Sequence, residues 1–464
     1  MQTGLIYYAP RCAPAWDDGA DNGGATYRGV TADTITVLVF REAKNEIVST
    51  ILEPEGLRAT REQEVAFMDA AEIFLNTHYE FFGRTLDLVM FDAPSCPETT
   101  PDVPACKEAA REAAAQDPFA VLWMVPSYPE VFDEWVREGI ISVGGWHFDD
   151  SYFTGRRPYR YDPFMDGTQT ADFIAEYYCT KMANQMATHS GAVIHSSYPN
   201  GGARGQVPRR VGIVTPDLEA NILAAERVKS LIAACDATEP VVVGYDPDPT
   251  RGAQQAGANT TAFIDAQVTT VICMCDPIAP VFRTNNMTRN AYFPEFLLPG
   301  SGLLDYDKLG RLYDRQQMAH AFGPSHLNQP VDHSESDASI AWNEAGNSGD
   351  ACGACNLPWT YYQLLGAMLQ SAGPNLTPAT VEQGMLNLPD RGGWAESGGD
   401  PRRPLSRYGV GDYTGISDMR EVYWDANATS RLDGRPGAYV PMNDGTRYEH
   451  GQIPAGLDVP VAPS

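Results

Sequence analysis

The feature that most constrains this chain is an alternation of apolar strand and helix that runs, stops and starts again. The short runs at 35–40, 86–91, 119–125 and 140–143 are apolar at nearly consecutive positions, and helical patterns lie between them. A strand that is apolar at every position is buried on both faces, which means a parallel sheet covered by helices on both sides. The first helix opens on Thr60-Arg-Glu-Gln63, which has capping-box form, and Val65, Met68, Ala71 and Leu75 follow at helical spacing. Helices are predicted over 105–116 and 129–138, and a long one over 166–187. The pattern then restarts with strands at 211–214, 241–244, 269–274 and 295–298, separated by helices over 218–235 and 253–266. Beyond residue 340 it changes to two helices, 357–371 and 377–388, and one late strand at 420–424. The order predicts an α/β protein built of two successive open sheets.

Charge excludes several functions. Sixty Asp plus Glu against 33 Lys plus Arg leave a formal charge of −27, which repels phosphate backbones and anionic lipid, so no nucleic-acid partner is expected. No apolar run approaches the roughly 18 residues that span a bilayer. The first residues, Met1-Gln-Thr-Gly4, have neither a basic nor an apolar leader segment. The expectation is a chain from which any leader and lipid anchor are absent.

The nine cysteines are an odd number. Cys96 and Cys106 bracket a Pro-rich stretch that cannot form a regular element and gains from a covalent clip, so a disulfide is expected there. Cys352-Gly-Ala-Cys355 lies in a Gly/Asn/Ser loop, where a short-loop disulfide is favoured over free thiols or half of a zinc or redox site. Cys273 and Cys275 face one side of a strand; whether they pair together or with Cys179 or Cys235 is open, and Cys12 is left over. This usage places the protein in an oxidising, extracytoplasmic compartment.

In open parallel sheets, ligands bind beyond the carboxyl ends of the strands. That rule selects Arg41 and Glu42, Pro126-Ser127-Tyr128 and Gly144-Gly145-Trp146-His147 from the first sheet. From the second it selects Thr215-Pro-Asp217, Cys275-Asp276 and Gly300-Ser301-Gly302. Of these, Arg41, Ser127, Tyr128, Trp146, His147, Asp217, Asp276 and Ser301 are the candidate ligand contacts; Trp146 and Tyr128 have the alternative of core packing, and Asp217 and Asp276 that of helix caps. The aromatic content, with Phe148, Tyr152 and Phe153 nearby, favours an aromatic or partly apolar ligand. Oxygens at Asp425, Asn427, Thr429 and Asp433 lack the closing Glu of a calcium loop and are read as a hairpin turn. The chain has no GxSxG, HExxH, P-loop or post-strand GxGxxG. No cofactor, metal or catalytic residue is expected.

Gly29-Val-Thr-Ala-Asp-Thr-Ile35 before the first strand, Phe82-Gly-Arg84 before the second and Arg210-Val-Gly-Ile-Val214 opening the second sheet carry a resemblance. In their order and spacing, over roughly 27–440, the chain resembles the leucine/isoleucine/valine-type ABC transporter substrate-binding proteins. The resemblance implies the type I periplasmic-binding fold, with 27–147 and 340–415 in a first lobe and 148–339 and 416–445 in a second. Residues 1–26 would be an arm and 446–464 a tail. It implies Tyr361, in Trp359-Thr-Tyr-Tyr362, at the site, and Ser127 in a loop where such proteins hold an amino acid through hydroxyls. Trp146-His147 stand where a second small hydroxyl residue is expected, which argues against an α-amino acid ligand. The implied function is capture of a small organic ligand between the lobes for a membrane ABC permease. An extracellular sensor is the alternative, and a hydrolase on the same fold a third reading.

Overall fold

The computed structural model describes residues 9–17, 19–99, 102–124, 128–145, 148–191, 194–393, 402–457 and 459–460. The chain divides into two compact units. The first holds Met1–Met165, Val331–Gly399 and Leu405–Ile416, and the second Asp166–Pro330, Asp400–Pro404 and Ser417–Ser464.

The first unit contains β1 (Thr34–Ala43), β2 (Thr85–Pro97), β3 (Ala120–Leu122), β4 (Ile141–Val143) and β5 (Arg160–Tyr161), in the order β2-β1-β3-β4-β5. Every pairing is parallel. Val37, Leu38, Val39 and Phe40 are all buried, as a sheet covered on both faces requires. The helix Arg61–His78 begins with the expected capping box, Thr60 and Gln63 each satisfying the other's backbone amide. It buries Phe67, Met68, Ala71, Phe74 and Leu75. Gly366, on the late helix Asn356–Ala372, lets that helix approach closely: a Cβ there would lie 2.8 Å from the Leu75 side chain.

The second unit contains β6 (Val211–Pro216), β7 (Val241–Tyr245), β8 (Thr270–Cys273), β9 (Glu295–Leu297) and β10 (Ala321–Ser325). These are parallel, in the order β10-β9-β8-β6-β7. Then β11 (Asp418–Thr429) joins β10 antiparallel, and β12 (Pro436–Pro441) and β13 (Arg447–Glu449) pair antiparallel with β11. Of the oxygen-bearing residues read as a hairpin turn, Asp425, Asn427 and Thr429 lie within β11, and Asp433 lies in the hairpin that connects it to β12, closed by Ser430 N–H donating to Arg435 O at 2.8 Å.

The unit boundaries differ from the expected ones. Residues 148–165 belong to the first unit, because β5 completes its sheet by pairing Ser142 with Arg160 and Val143 with Tyr161. Residues 331–339 belong there too. The expected tail from 446 contains β13, and the expected arm is tied down: Arg84 donates to the Asn22 and Gly24 carbonyls, and Gln370 to that of Arg11.

Disulfides join Cys96 to Cys106 and Cys352 to Cys355, as expected. The pairing left open is Cys179 with Cys235 and Cys273 with Cys275, and Cys12 is a free, exposed thiol. Among the described residues no helix is long and apolar enough to cross a membrane, and no group of three His, Cys, Asp or Glu side chains could hold a metal ion.

Candidate functional site

Strand order locates the switch point in each sheet. The chain passes from β1 outward to β2 and then returns to place β3 on the other side of β1, so the reversal lies between the carboxyl ends of β1 and β3. In the second sheet it lies between β6 and β8. The residues at each of these edges are candidate site residues of their own unit.

At the first edge, side-chain alternation along β1 sends Arg41 and Glu42 to opposite faces. Arg41 turns toward the helix Arg61–His78, where its Nε donates to Glu64 at 2.5 Å and its Nη1 to Asp92 at 3.3 Å. Glu42 turns to the other face and accepts from the Trp123 indole at 2.8 Å, so one hydrogen bond crosses the switch point. The partner strand bulges here: Glu42 pairs with Ala93, but Ala43 with Pro97. A bulge at such an edge re-aims side chains. Burial raises the Glu42 pKa above the usual carboxylate range, and the nearby Glu98 adds to the rise.

Trp123 is fully buried among Phe40, Phe132 and Trp135, with ring centroids 5.0 to 5.8 Å away. Tyr128 sits just before the helix Pro129–Arg137 and is 5% exposed, its ring 6.2 Å from that of Trp123. Burial, with Glu42 and Glu98 close by, raises its pKa. Tyr361 is buried and donates to the Met124 carbonyl at 2.6 Å, bracing the segment that leaves β3. Tyr128 and Tyr361 are thus engaged at this edge, by packing and by a backbone hydrogen bond. Ser127, Trp146 and His147 lie outside the described residues.

The approach to the last two is described. Gly144 has φ +124°, and a Cβ there would fall 1.9 Å from the Trp123 carbonyl oxygen. Arg160 donates through Nη1 to the Ser142 carbonyl at 2.7 Å and through Nη2 to that of Gly144. Its guanidinium carbon lies 3.9 Å from the centre of the Phe132 ring. This fully buried arginine holds the end of β4 in place.

At the second edge, Asp276 accepts from the Ile278 and Ala279 amides at 2.8 and 3.0 Å and from the Tyr245 hydroxyl at 2.5 Å. These bonds tie it to the start of the helix Ala279–Arg289, whose N-cap residue is Ile278. Asp217 is exposed and does not cap: Leu218 precedes the next helix, Glu219–Cys235, with no side-chain cap bond. Ser301 opens a short 3-10 turn, Ser301–Leu303, and its side chain is not among those described. Gly302, at φ +66°, brings this turn against β8, since a Cβ would lie 2.7 Å from the Cys275 carbonyl oxygen. Asp276 and the 300–302 turn are therefore brought together.

Sequence reasoning passed over Trp123, taken as strand core, and did not choose Glu42 over Arg41. The available signal was a tryptophan three residues before Pro126-Ser127, which places a polar ring nitrogen at the strand's carboxyl end.

No protein-family profile matches the sequence, and no curated protein matches it. Solved structures do. One is a solute-binding protein of an ABC transporter from R. palustris in complex with 4-hydroxybenzoate, with a TM-score of 0.61 and 13% identity over 90% of this chain and 98% of that one. The fold is the type I periplasmic-binding fold. A fatty acid ABC transporter substrate-binding protein from Thermomonospora curvata has a TM-score of 0.61 and 11% identity, covering 95% of this chain and 99% of the other. A leucine-binding protein from Thermotoga maritima has a TM-score of 0.56 and 10% identity over 88% and 97%. At these identities the likeness is one of fold. The expected fold class is thereby met, with parallel sheets and covering helices in both units.

Proposed function

We propose that this protein is an extracytoplasmic solute-binding protein that captures a small organic ligand, without chemistry, for delivery to a membrane ABC permease. The observation that carries the reading is the similarity of fold to solute-binding proteins over nine-tenths of the chain. Four disulfides support an oxidising compartment. The proposed contacts are Ser127, Trp146 and His147, which follow β3 and β4 in the chain, with Asp217 and Ser301 from the second unit. Tyr128, Tyr361 and Asp276 act as positioning residues within their own units, and Arg41 through its pairing with Glu64.

Native mass spectrometry of protein purified without denaturation tests this directly. A single co-purified small molecule that remains chemically unchanged on prolonged incubation is the expected result. Calorimetric titration with that molecule should show Trp146→Ala weakening binding by on the order of 1–3 kcal/mol. Conversion of the molecule into a product would replace the binding reading with an enzymatic one.

A further inference from the structure

We infer that the ligand recognised at the first sheet's switch point is an organic cation, an amine or quaternary ammonium, and that Glu42 is its counter-ion. The inference rests on the solute-binding reading and deepens it.

The charge inventory of this edge singles out Glu42. Glu98 is held by both nitrogens of the Arg58 fork at 2.6 Å, Asp92 by Arg61 at 2.6 Å, and Glu64 by Arg41 and Lys44. Among the described residues no cation lies within salt-bridge distance of Glu42; its one side-chain hydrogen bond comes from the neutral Trp123 indole. An ionised carboxylate accepts about four hydrogen bonds, so most of its capacity is uncommitted. Glu42 as a residue is half-buried rather than sealed.

The same inventory argues against an anionic ligand at this edge. Arg41, Lys44, Arg58 and Arg61 are each engaged by a carboxylate, and the Arg160 hydrogen bonds go to Ser142 and to the Gly144 carbonyl. No described cation here is left to meet a ligand's negative group. A carboxylate that is partly desolvated and lies near a second one is costly to keep charged, and a bound cation offsets that cost. The formal charge of −27 steers cations toward the protein and anions away from it. Phe40, Trp123 and Tyr128 are buried behind the carboxylate and give this edge apolar surroundings, in which a cation is met by Glu42 with less screening by water.

The test is competitive capture. Full-length protein is incubated with an equimolar mixture of 2-phenylethylamine, tyramine, choline, phenylacetate, 4-hydroxybenzoate and benzyl alcohol, and the retained compounds are measured after ultrafiltration. Amines or choline should be retained in preference to the carboxylates and the alcohol. Glu42→Gln, checked for native circular dichroism, should lower that retention at least tenfold. Glu42→Asp keeps the charge on a shorter arm and should retain more of the cation than Glu42→Gln. Preferential retention of a carboxylate or of the alcohol, capture of no cation, or capture that Glu42→Gln leaves unchanged overturns the inference while solute binding stands. Conversion of any compound in the mixture would instead overturn the solute-binding reading.

Discussion

Arg209 and Glu295 form a sealed ion pair in the second unit: Nε lies 2.8 Å from Oε2, and both side chains are at 0% exposure. The other carboxylate oxygen accepts from Arg209 Nη2 at 2.9 Å and from the His189 amide at 3.0 Å, and Thr270 donates to Oε2 at 2.6 Å. Burial alone would raise the Glu295 pKa, but Arg209, Thr270 and the His189 amide hold it below the usual range. Glu295→Gln leaves a buried guanidinium unpaired and should cost about 3–5 kcal/mol in chemical denaturation. Because the folded-state pKa is depressed, the pair's contribution is present above the unfolded value and is lost as pH falls through the folded one. The stability of the wild type should therefore converge on that of the variant in strong acid.

Asp305 titrates with the opposite sign. It is 4% exposed, and burial pushes its pKa up to about 6, while the Ser325 hydroxyl and Arg420 pull it down. A carboxyl whose folded pKa is raised favours folding when protonated, so its contribution is present at acid pH and is lost as pH rises through about 6. Subtracting the wild-type stability curve from that of Asp305→Asn isolates this one group. The difference should shift toward the variant by on the order of 1–3 kcal/mol between pH 4.5 and pH 7.5. A flat difference curve would show that Asp305 has an ordinary pKa.

His320 provides a third pH test. Burial lowers its pKa to about 4, and Nδ1 lies 2.8 Å from the His189 carbonyl oxygen. The neutral ring is favoured in the folded state, so stability should be lost as pH falls from the unfolded value of about 6.5 toward 4. Proton NMR of the ring should show His320 uncharged at pH 5.5, where an exposed histidine is already charged.

The disulfides make a countable prediction. Eight cysteines are paired and Cys12 is free, so thiol titration in denaturant should find one thiol before reduction and nine after. The Cys179–Cys235 bridge spans 56 residues and the Cys96–Cys106 bridge 10. On loop-entropy grounds, replacing the first pair by alanines should cost about 4 kcal/mol and the second about 3.

Gly144→Ala should destabilise the first unit by on the order of 1–3 kcal/mol, because φ is positive and the added Cβ strikes the Trp123 carbonyl, a backbone atom with little room to yield. Melting curves of the variant check this. An unchanged midpoint would mean that the edge tolerates a different backbone path.

Local sequence determined the elements that repeat a period over many residues. The apolar run at β1, the Thr60–Gln63 capping box and the Thr377-Pro378 helix start follow from side-chain spacing and from backbone amides that need partners, and all three are present. The Cys96–Cys106 clip was legible because proline excludes a regular element between them. Short or irregular elements were not legible. Two-residue β5 exists only because β4 offers it hydrogen bonds, and β10 carries Gly323-Pro324, which argues against a strand until β9 and β11 enclose it. The unit boundaries moved for the same reason.

At the site, strand ends could be placed from the sequence, but the direction of each side chain could not. Whether Arg41 or Glu42 faced the switch point depended on the register of β1, and a shift of one residue would exchange them. Tertiary structure also decided that Tyr361 would be spent on the Met124 carbonyl and that Asp276 would meet the Tyr245 hydroxyl, because those partners lie far away in the chain. Composition set the overall charge; only the pairing of each neighbouring carboxylate with its cation left Glu42 without one among the described residues.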